Sequence, residues 1–184
     1  MADKKDNSIE EFQITVLKHL DTAYNFAVWL CRNRHDAEDI TQEACLRAFA
    51  AFDRFDKKSP RAWLLTIVRH TFLTHQSKQK RGGEIIYIDA LTDTSHIKNL
   101  TNQITPEQQI SDEQDIGILH CCLNKLADDF REILVLRELE GLSYNEISQI
   151  VDCPIGTVMS RLARARNQLR GWLESKDFSL EEQA

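Results

Sequence analysis

Apolar residues recur every three or four positions between residues 12 and 78, which is the spacing of one face of an α-helix. We predict a first helix over 12–30, a second from Asp36 as its N-cap to about Phe52, and a third from Ser59-Pro60 to about Lys78. The buried side of the second helix is predicted to hold Ile40, Ala44, Leu46 and Phe49. This part of the chain therefore reads as a small helical bundle.

A second set of helical patterns begins at Thr105-Pro106, with a helix predicted to run toward Leu126, and ends with a short, well-marked pair of helices. Gly141 is placed to stop one helix, and Ser143 to Glu146 has the form of a capping box that starts the next. That helix runs to about Ile150, and a short turn leads to a last helix beginning near Pro154. Two helices joined by such a turn form a helix-turn-helix.

The last helix separates an apolar stripe from a basic face. The predicted core stripe is Ile155, Val158, Leu162, Ala165, Leu169 and Trp172. The residues that project away from it are Thr157, Ser160, Arg161 and Arg164, and those nearer its edge are Arg166 and Arg170. Such a face can enter the major groove of DNA, where arginine reads guanine and hydroxyls contact phosphate. A basic face that is merely solvated is the alternative.

The charge changes sign abruptly between the two helical regions. Residues 54–81 carry eight basic side chains and one acidic one, whereas residues 82–116 carry seven acidic side chains and one basic one. The acidic stretch lacks a sustained apolar period, so we predict a flexible linker, in which Ile85–Ile88 could form a short strand or docking segment. With six Gly and three Pro in 184 residues, the expected fold is all-α, with two small helical domains. The expected boundaries are 1–82, linker 83–112, 113–176 and tail 177–184.

Several classes of protein are disfavoured by composition and motif content. No apolar run reaches the roughly 20 residues of a membrane span and the first residues lack a signal-peptide core, so we expect a cytoplasmic protein. Five cysteines without a CxxC pair argue against a disulfide framework or a thiolate zinc site. A metal or redox site at Cys31 and His35, or at His120 to Cys122, is the weaker alternative. No phosphate loop, GxSxG or HExxH is present, so we predict no enzyme activity, metal or cofactor.

Two separate segments resemble one known family. Residues 139–147 and 153–166 are similar to domain 4 of extracytoplasmic-function (ECF) sigma factors, which are bacterial initiation subunits of RNA polymerase. Residues 33–43 resemble the domain 2 segment that binds core polymerase, and residues 62–69 resemble its DNA-reading helix. The resemblance covers roughly 10–82 and 113–174, in the order of the family.

The resemblance implies three sets of functional residues. The surface that binds the clamp helices of the beta-prime subunit would be Asp39, Gln42 and Glu43. Contacts to the −10 element would come from Lys57, Lys58, Arg61, Trp63, Arg69 and His70, although Trp63 could instead belong to the core. Contacts to the −35 element would come from Thr157, Ser160, Arg161, Arg164 and Arg166. Two departures from the family pattern, His70 in place of asparagine and Met159 in place of Lys or Arg, put base preference in doubt.

The implied partners are core RNA polymerase, through its clamp helices and beta flap, promoter DNA, and an anti-sigma factor. An anti-sigma factor anchored in the membrane would hold the protein at the inner membrane face. No small-molecule substrate is expected. Two alternatives remain open: a stand-alone helix-turn-helix regulator, and a sigma-like adaptor that binds an anti-sigma factor. The match at Asp39, Gln42 and Glu43 argues against the first, and the basic last helix against the second.

Overall fold

The computed structural model describes residues 2–56, 58–82 and 117–174, and the regular secondary structure in these segments is helical. The all-α prediction is therefore confirmed for the described residues. The predicted linker over 83–112, the apolar segment Ile85–Ile88 and the predicted tail over 177–184 lie outside them. Lys57 also lies outside them.

The N-terminal half contains helices α1 to α4. Their bounds are α1 Ala2–Thr15, α2 Leu20–Cys31, α3 Arg34–Ala51 and α4 Pro60–Gly82, with 3₁₀ turns at Leu17–His19 and Phe52–Arg54. The first predicted helix is thus two helices separated by a tight turn. The predicted start of the third helix is confirmed, because Pro60 is its first residue and the Trp63 amide donates to the Ser59 carbonyl over 2.9 Å.

The turn between α2 and α3 differs from the prediction in its capping residue. Asn33, rather than Asp36, is the N-cap, and its side-chain oxygen accepts from the amides of His35 (2.8 Å) and Asp36 (3.3 Å). Arg32 before it adopts a left-handed conformation with φ of 56°, which turns the chain and leaves Asn33 extended. Asp36 lies in the first turn, where its charge still suits the helix dipole.

Small residues allow the helices of the N-terminal half to approach closely. Ala23 and Ala27 on α2 and Ala44 and Ala48 on α3 are fully buried. Against them α4 packs Leu64, Leu65 and Val68. This tight core fixes the outer face of α3, on which Asp39 and Gln42 are exposed.

The C-terminal half begins, among the described residues, with a helix over 117–125, labelled α5. It continues with α6 Asp128–Leu134, which runs on into a π-helical segment Val135–Leu139, and then α7 Tyr144–Val151 and α8 Ile155–Glu174. Gly141 has φ of 62°, so it ends the preceding helix in a conformation that glycine adopts without a Cβ clash, as predicted.

The helix-turn-helix formed by α7 and α8 is held by local polar contacts. The capping box is present, since the Ser143 hydroxyl accepts from the Glu146 amide and the Glu146 carboxylate accepts from the Ser143 amide. The turn is pinned by the Ser148 hydroxyl, which donates to the Cys153 carbonyl over 2.6 Å. Asp152 provides the left-handed residue of this turn, with φ of 51°. These contacts set the direction in which α8 leaves α7.

The two halves pack against each other. In this arrangement α4 lies along α7 and α2 lies against α6, and one cluster of buried apolar side chains runs through both halves. The Arg131 guanidinium of α6 is almost fully buried at this junction, where it donates to the Trp29 carbonyl (3.2 Å) and to Asp128 (2.8 Å). The centroids of the Trp29 and His120 rings are 5.0 Å apart across the same junction. We call this mutual placement of the halves the closed arrangement.

Candidate nucleic-acid and protein interfaces

Helix α8 presents an open face on the side opposite its core stripe. Val158, Leu162 and Ala165 are buried, and Leu169 and Trp172 pack against the core. Ile155, which was assigned to the same stripe, is 42 % exposed. Ile155 is the first residue of α8. It is more exposed than the rest of the stripe because the end of the helix extends beyond the core against which its middle packs.

The predicted −35 residues divide into two groups. Ser160 and Arg164 are exposed and Thr157 is half-buried, so these three share the open face with Met159, which is 53 % exposed. Two arginines are instead paired with acids. Arg161 pairs with Asp129 over 2.8 Å, and the Nε and Nη2 of Arg166 both donate to one carboxylate oxygen, Oε1, of Glu138. The hydrogen bonds that Arg166 donates to Glu138 raise the pKa of Arg166, so its guanidinium stays charged.

Near the start of α4, the predicted −10 residues lie in different environments. The Trp63 ring stacks on Phe55 with centroids 4.4 Å apart and is half-buried, which fits the packing alternative. The Lys58 side chain is 85 % exposed, with its ammonium 3.8 Å from Asp56. His70 is also exposed. Lys58 and His70 are therefore open to a ligand, whereas Trp63 supports the loop before α4.

Arg61 and Arg69 face the C-terminal half. The Arg69 Nε donates to Glu132 over 2.7 Å, and the two side chains are only 17 % and 10 % exposed. Burial raises the pKa of Glu132, and the ion pair with Arg69 opposes that increase. Burial also raises the pKa of Glu140, which the nearby Arg61 offsets in part. The sequence patterns missed Glu132 because nothing local links it to a residue 63 positions earlier.

The outer face of α3 combines polar and apolar residues. Asp39 and Gln42 are exposed, and the half-buried Glu43 forms an ion pair with Arg47 one turn later. Leu46 is 71 % exposed, so the prediction that it faces the core was wrong. Its spacing of four from Gln42 places it on the same face as the predicted polymerase-binding residues. The spacing of four residues between Gln42 and Leu46 was therefore the signal in the sequence that could have identified Leu46 as part of this face.

Phe49 was also assigned to the core of α3 and is 43 % exposed. One side of its ring packs edge-on against Phe12 at 5.2 Å. The buried side of α3 is instead formed by Ala37, Ile40, Thr41, Ala44 and Ala48. Because three of these five residues are alanines, α3 packs closely against its neighbours on this side. The larger side chains of Leu46 and Phe49 lie outside this contact and remain exposed.

The cysteines and histidines form no cluster suited to a metal within the described segments. Burial, together with Asp36, raises the pKa of the Cys31 thiol to about 12, whereas Cys121 is exposed. Across the same described residues, no helix is both long and apolar enough to span a bilayer.

Comparison with known proteins identifies the family. The family described as Sigma-70 region 2 matches residues 15–82, and Sigma-70 region 4 matches residues 116–169. The chain is 35 % identical over 158 residues to the ECF RNA polymerase sigma factor SigE of Mycolicibacterium smegmatis, a match covering 86 % of this chain and 60 % of that protein. It is 36 % identical over 140 residues to the ECF RNA polymerase sigma-E factor of Escherichia coli, covering 73 % and 72 % of the two chains.

A solved structure resembles both halves together. The sigma factor RpoE of Bartonella quintana, crystallised in complex with the anti-sigma factor NepR, superposes with a TM-score of 0.73 at 29 % identity, covering 91 % of this chain and 99 % of RpoE. The chain therefore belongs to the ECF sigma factors of the sigma-70 family, which are transcription initiation factors rather than enzymes.

Proposed function

We propose that this chain binds core RNA polymerase and directs it to promoters, with domain 2 over 1–82, a linker over 83–112, domain 4 over 113–176 and a tail over 177–184. One observation carries the proposal. Both sigma-70 regions match this single chain in the family's order. The same chain combines a capped helix-turn-helix, whose helix α8 has an open basic face, with a face on α3 that is both acidic and apolar. Because polymerase works in the bacterial cytoplasm, we place the protein there.

The polymerase-binding surface is the outer face of α3. Asp39, Gln42 and Glu43 give this face acidic and amide groups that complement a basic coiled coil such as the clamp helices of beta-prime. Leu46 supplies apolar area at its centre, and burying a leucine side chain contributes about 1.5–3 kcal/mol. Domain 4 would bind the beta flap and thereby set the spacing between the two DNA-reading regions.

Promoter reading divides between α8 and α4. On α8, the exposed Arg164 is available for a base contact, and Thr157 and Ser160 suit phosphates. On α4 and the loop before it, Lys57, Lys58 and Arg61 would hold the backbone of the opened −10 strand, releasing counterions as they do. We assign strand opening to binding energy gained on base capture, with no nucleotide hydrolysis and no cofactor.

An anti-sigma factor is the proposed regulator. Its support is that the similar Bartonella quintana sigma factor was crystallised in complex with one, and that the similarity spans both halves of this chain. Such a partner would compete for the polymerase-binding surfaces, and a membrane-anchored one would keep the protein at the inner membrane face.

In vitro transcription with purified core polymerase on a promoter library tests the function. Arg164→Ala is compared with Arg170→Ala, which removes the same charge from an exposed position farther along α8. Loss of a base contact costs about 1–3 kcal/mol, so Arg164→Ala should reduce initiation about 5- to 100-fold while Arg170→Ala changes it little. Equal effects of the two variants would refute base reading by Arg164. An absence of initiation with the wild type would refute the function.

Binding to core polymerase tests the α3 surface. Leu46→Asp should weaken the complex about tenfold or more, whereas Leu173→Asp, at another exposed leucine on α8, should leave it unchanged. Binding to core without initiation would favour a sigma-like adaptor. Failure to bind core, with retained binding to duplex DNA, would favour a stand-alone regulator.

A further inference from the structure

Two large apolar side chains are exposed in the first two turns of α8. Met159 is 53 % exposed and Ile155 is 42 % exposed. The smaller Ala163, one turn later, is exposed as well. Because successive members are four residues apart, the three side chains lie in one line along the helix, which we call the apolar strip.

The apolar strip lies on the open side of α8, beside polar groups. At about 100° per residue, the exposed Ser160 and Arg164 fall on a neighbouring line of the same side. The buried Val158 and Leu162 lie on the opposite side, against the core. The closed arrangement of the two halves leaves the apolar strip exposed to solvent. Helix α8 therefore presents an apolar line and a polar line side by side.

The charge of α8 indicates which kind of partner would cover the apolar strip. The helix carries four arginines, and its only acidic residue is Glu174 at its last position. This charge complements a polyanion such as DNA. In a helix-turn-helix, the N-terminal residues of the second helix contact base edges in the major groove. Ile155 and Met159 occupy that part of α8.

The chemistry of the apolar strip selects one base. The Ile155 and Ala163 side chains have no hydrogen-bonding atom, and the Met159 thioether is only a weak acceptor, so the strip does not suit a phosphate. In the major groove the base pairs present donors and acceptors, and the one apolar group among them is the C5-methyl of thymine. A methionine side chain is flexible and polarizable, which lets it pack against such a methyl group.

We propose that Met159, flanked by Ile155, reads a thymine of the −35 element through its C5-methyl group. This inference rests on the proposed function and names a base for the open face of α8. It also assigns a role to the residue that departs from the family pattern. Methionine in place of Lys or Arg changes which base is read at this position.

The test removes the methyl group from the DNA and its partner from the protein. Binding sites are first selected from a randomised pool of synthetic duplexes by the full chain, both alone and with core polymerase. Each thymine of the selected −35 site is then replaced in turn by deoxyuridine, which keeps every hydrogen-bonding group and lacks only the methyl. Fluorescence anisotropy measures the affinity for each duplex.

We expect a loss of affinity that depends on Met159. For the wild type, deoxyuridine at one thymine should weaken binding about fourfold, the effect of withdrawing one buried methyl-sized group. Met159→Ala should bind the thymine duplex at least about fourfold more weakly and should bind the deoxyuridine duplex with the same affinity as the thymine duplex. Met159→Leu keeps an apolar side chain of similar size, so it should remain sensitive to the methyl.

Leu173→Ala is the matched control. Leu173 is another exposed apolar residue of α8, at 49 %, and lies about four turns beyond Met159. This variant should bind with the affinity of the wild type and keep its fourfold response to deoxyuridine. Both side chains are exposed, so neither substitution should disturb the fold, and far-UV circular dichroism verifies this.

The other outcomes separate the inference from the proposed function. If the wild type initiates transcription but responds to deoxyuridine at no position, or if Met159→Ala responds as the wild type does, the inference is overturned and the function stands. If the wild type supports no transcription with core polymerase, yet its DNA binding depends on the methyl and on Met159, the function fails and the methyl contact stands. Enrichment of no sequence in either selection would overturn both.

Discussion

The capping box at the start of α7 gives a stability prediction with a defined magnitude. The Ser143 hydroxyl accepts from the Glu146 amide at 3.3 Å, and the Glu146 carboxylate accepts from the Ser143 amide at 2.9 Å and from its hydroxyl at 2.7 Å. Ser143→Ala removes both hydroxyl contacts. Loss of such an N-cap costs about 1 kcal/mol. Because α7 has only 8 residues, we expect this cost to appear as easier local opening of the helix.

Amide hydrogen exchange measured by NMR resolves this effect. A cost of about 1 kcal/mol corresponds to about fivefold faster exchange at the buried residues Ile147, Ile150 and Val151. Asn33→Ala is the matched variant, because it removes the N-cap of α3 in the other half. It should speed exchange in α3 and leave α7 unchanged. Unaltered exchange of α7 in Ser143→Ala, alongside faster exchange of α3 in Asn33→Ala, would refute the assigned role of the box.

The same box has a pH dependence. The hydrogen bonds from Ser143 lower the pKa of Glu146 below its ordinary value of 4.5, with burial opposing and Arg61 assisting. A lowered carboxyl pKa means that the stabilisation is present above 4.5 and is lost as pH falls through the lowered value. The stability difference between wild type and Ser143→Ala, measured by urea denaturation, should therefore be constant near neutral pH and shrink in acid. A difference that grows on acidification would contradict this sign.

Three further predictions concern the thiols, the turns and the core. The half-buried Cys31, with its pKa raised to about 12 by burial and Asp36, should react with iodoacetamide at least about tenfold more slowly than the exposed Cys121. Mass spectrometry measures both rates, and equal rates would contradict this difference in environment. Gly141→Ala should lower the free energy of unfolding by about 1–2 kcal/mol, because φ at this position is 62°. Gly156→Ala should raise it slightly, because Gly156 lies in a helix with open space around the added Cβ. Urea denaturation measures both, and a Gly156→Ala variant less stable than Gly141→Ala would refute the reasoning. Leu162→Ala should destabilise the C-terminal half by about 2–5 kcal/mol in the same assay, since Leu162 is only 1 % exposed. A decrease in the free energy of unfolding of less than about 1 kcal/mol would contradict its core position.

Local patterns were sufficient for the helices and for the helix-turn-helix. Its capping box and the glycine stop at Gly141 depend on residues within a few positions of one another, so the sequence contains all the information they need. The start of α4 at Pro60 was predicted for the same reason. The predicted N-cap of α3, Asp36, was wrong, since Asn33 also carries a suitable side-chain oxygen and occupies the capping position. The left-handed Arg32 and the extended Asn33 decided which of them caps the helix.

Exposure and pairing depended on the tertiary structure. Leu46 is apolar and falls within a helical pattern, yet it faces outward because the alanine-rich side of α3 packs closely against its neighbours. Arg161 and Arg166 were predicted as free DNA contacts from one helix alone, but the fold brings Asp129 and Glu138 beside them.

The amino-acid sequence by itself determined the all-helical fold, the capping box of α7 and the family, because these depend on contacts or motifs within short segments. Only the tertiary structure decided which charged residues remain available. Arg69 and Glu132 are 63 positions apart and meet solely because the N-terminal and C-terminal halves pack against each other. Coulombic pairing depends on distance in space rather than along the chain, and burial of the pair strengthens it by excluding water.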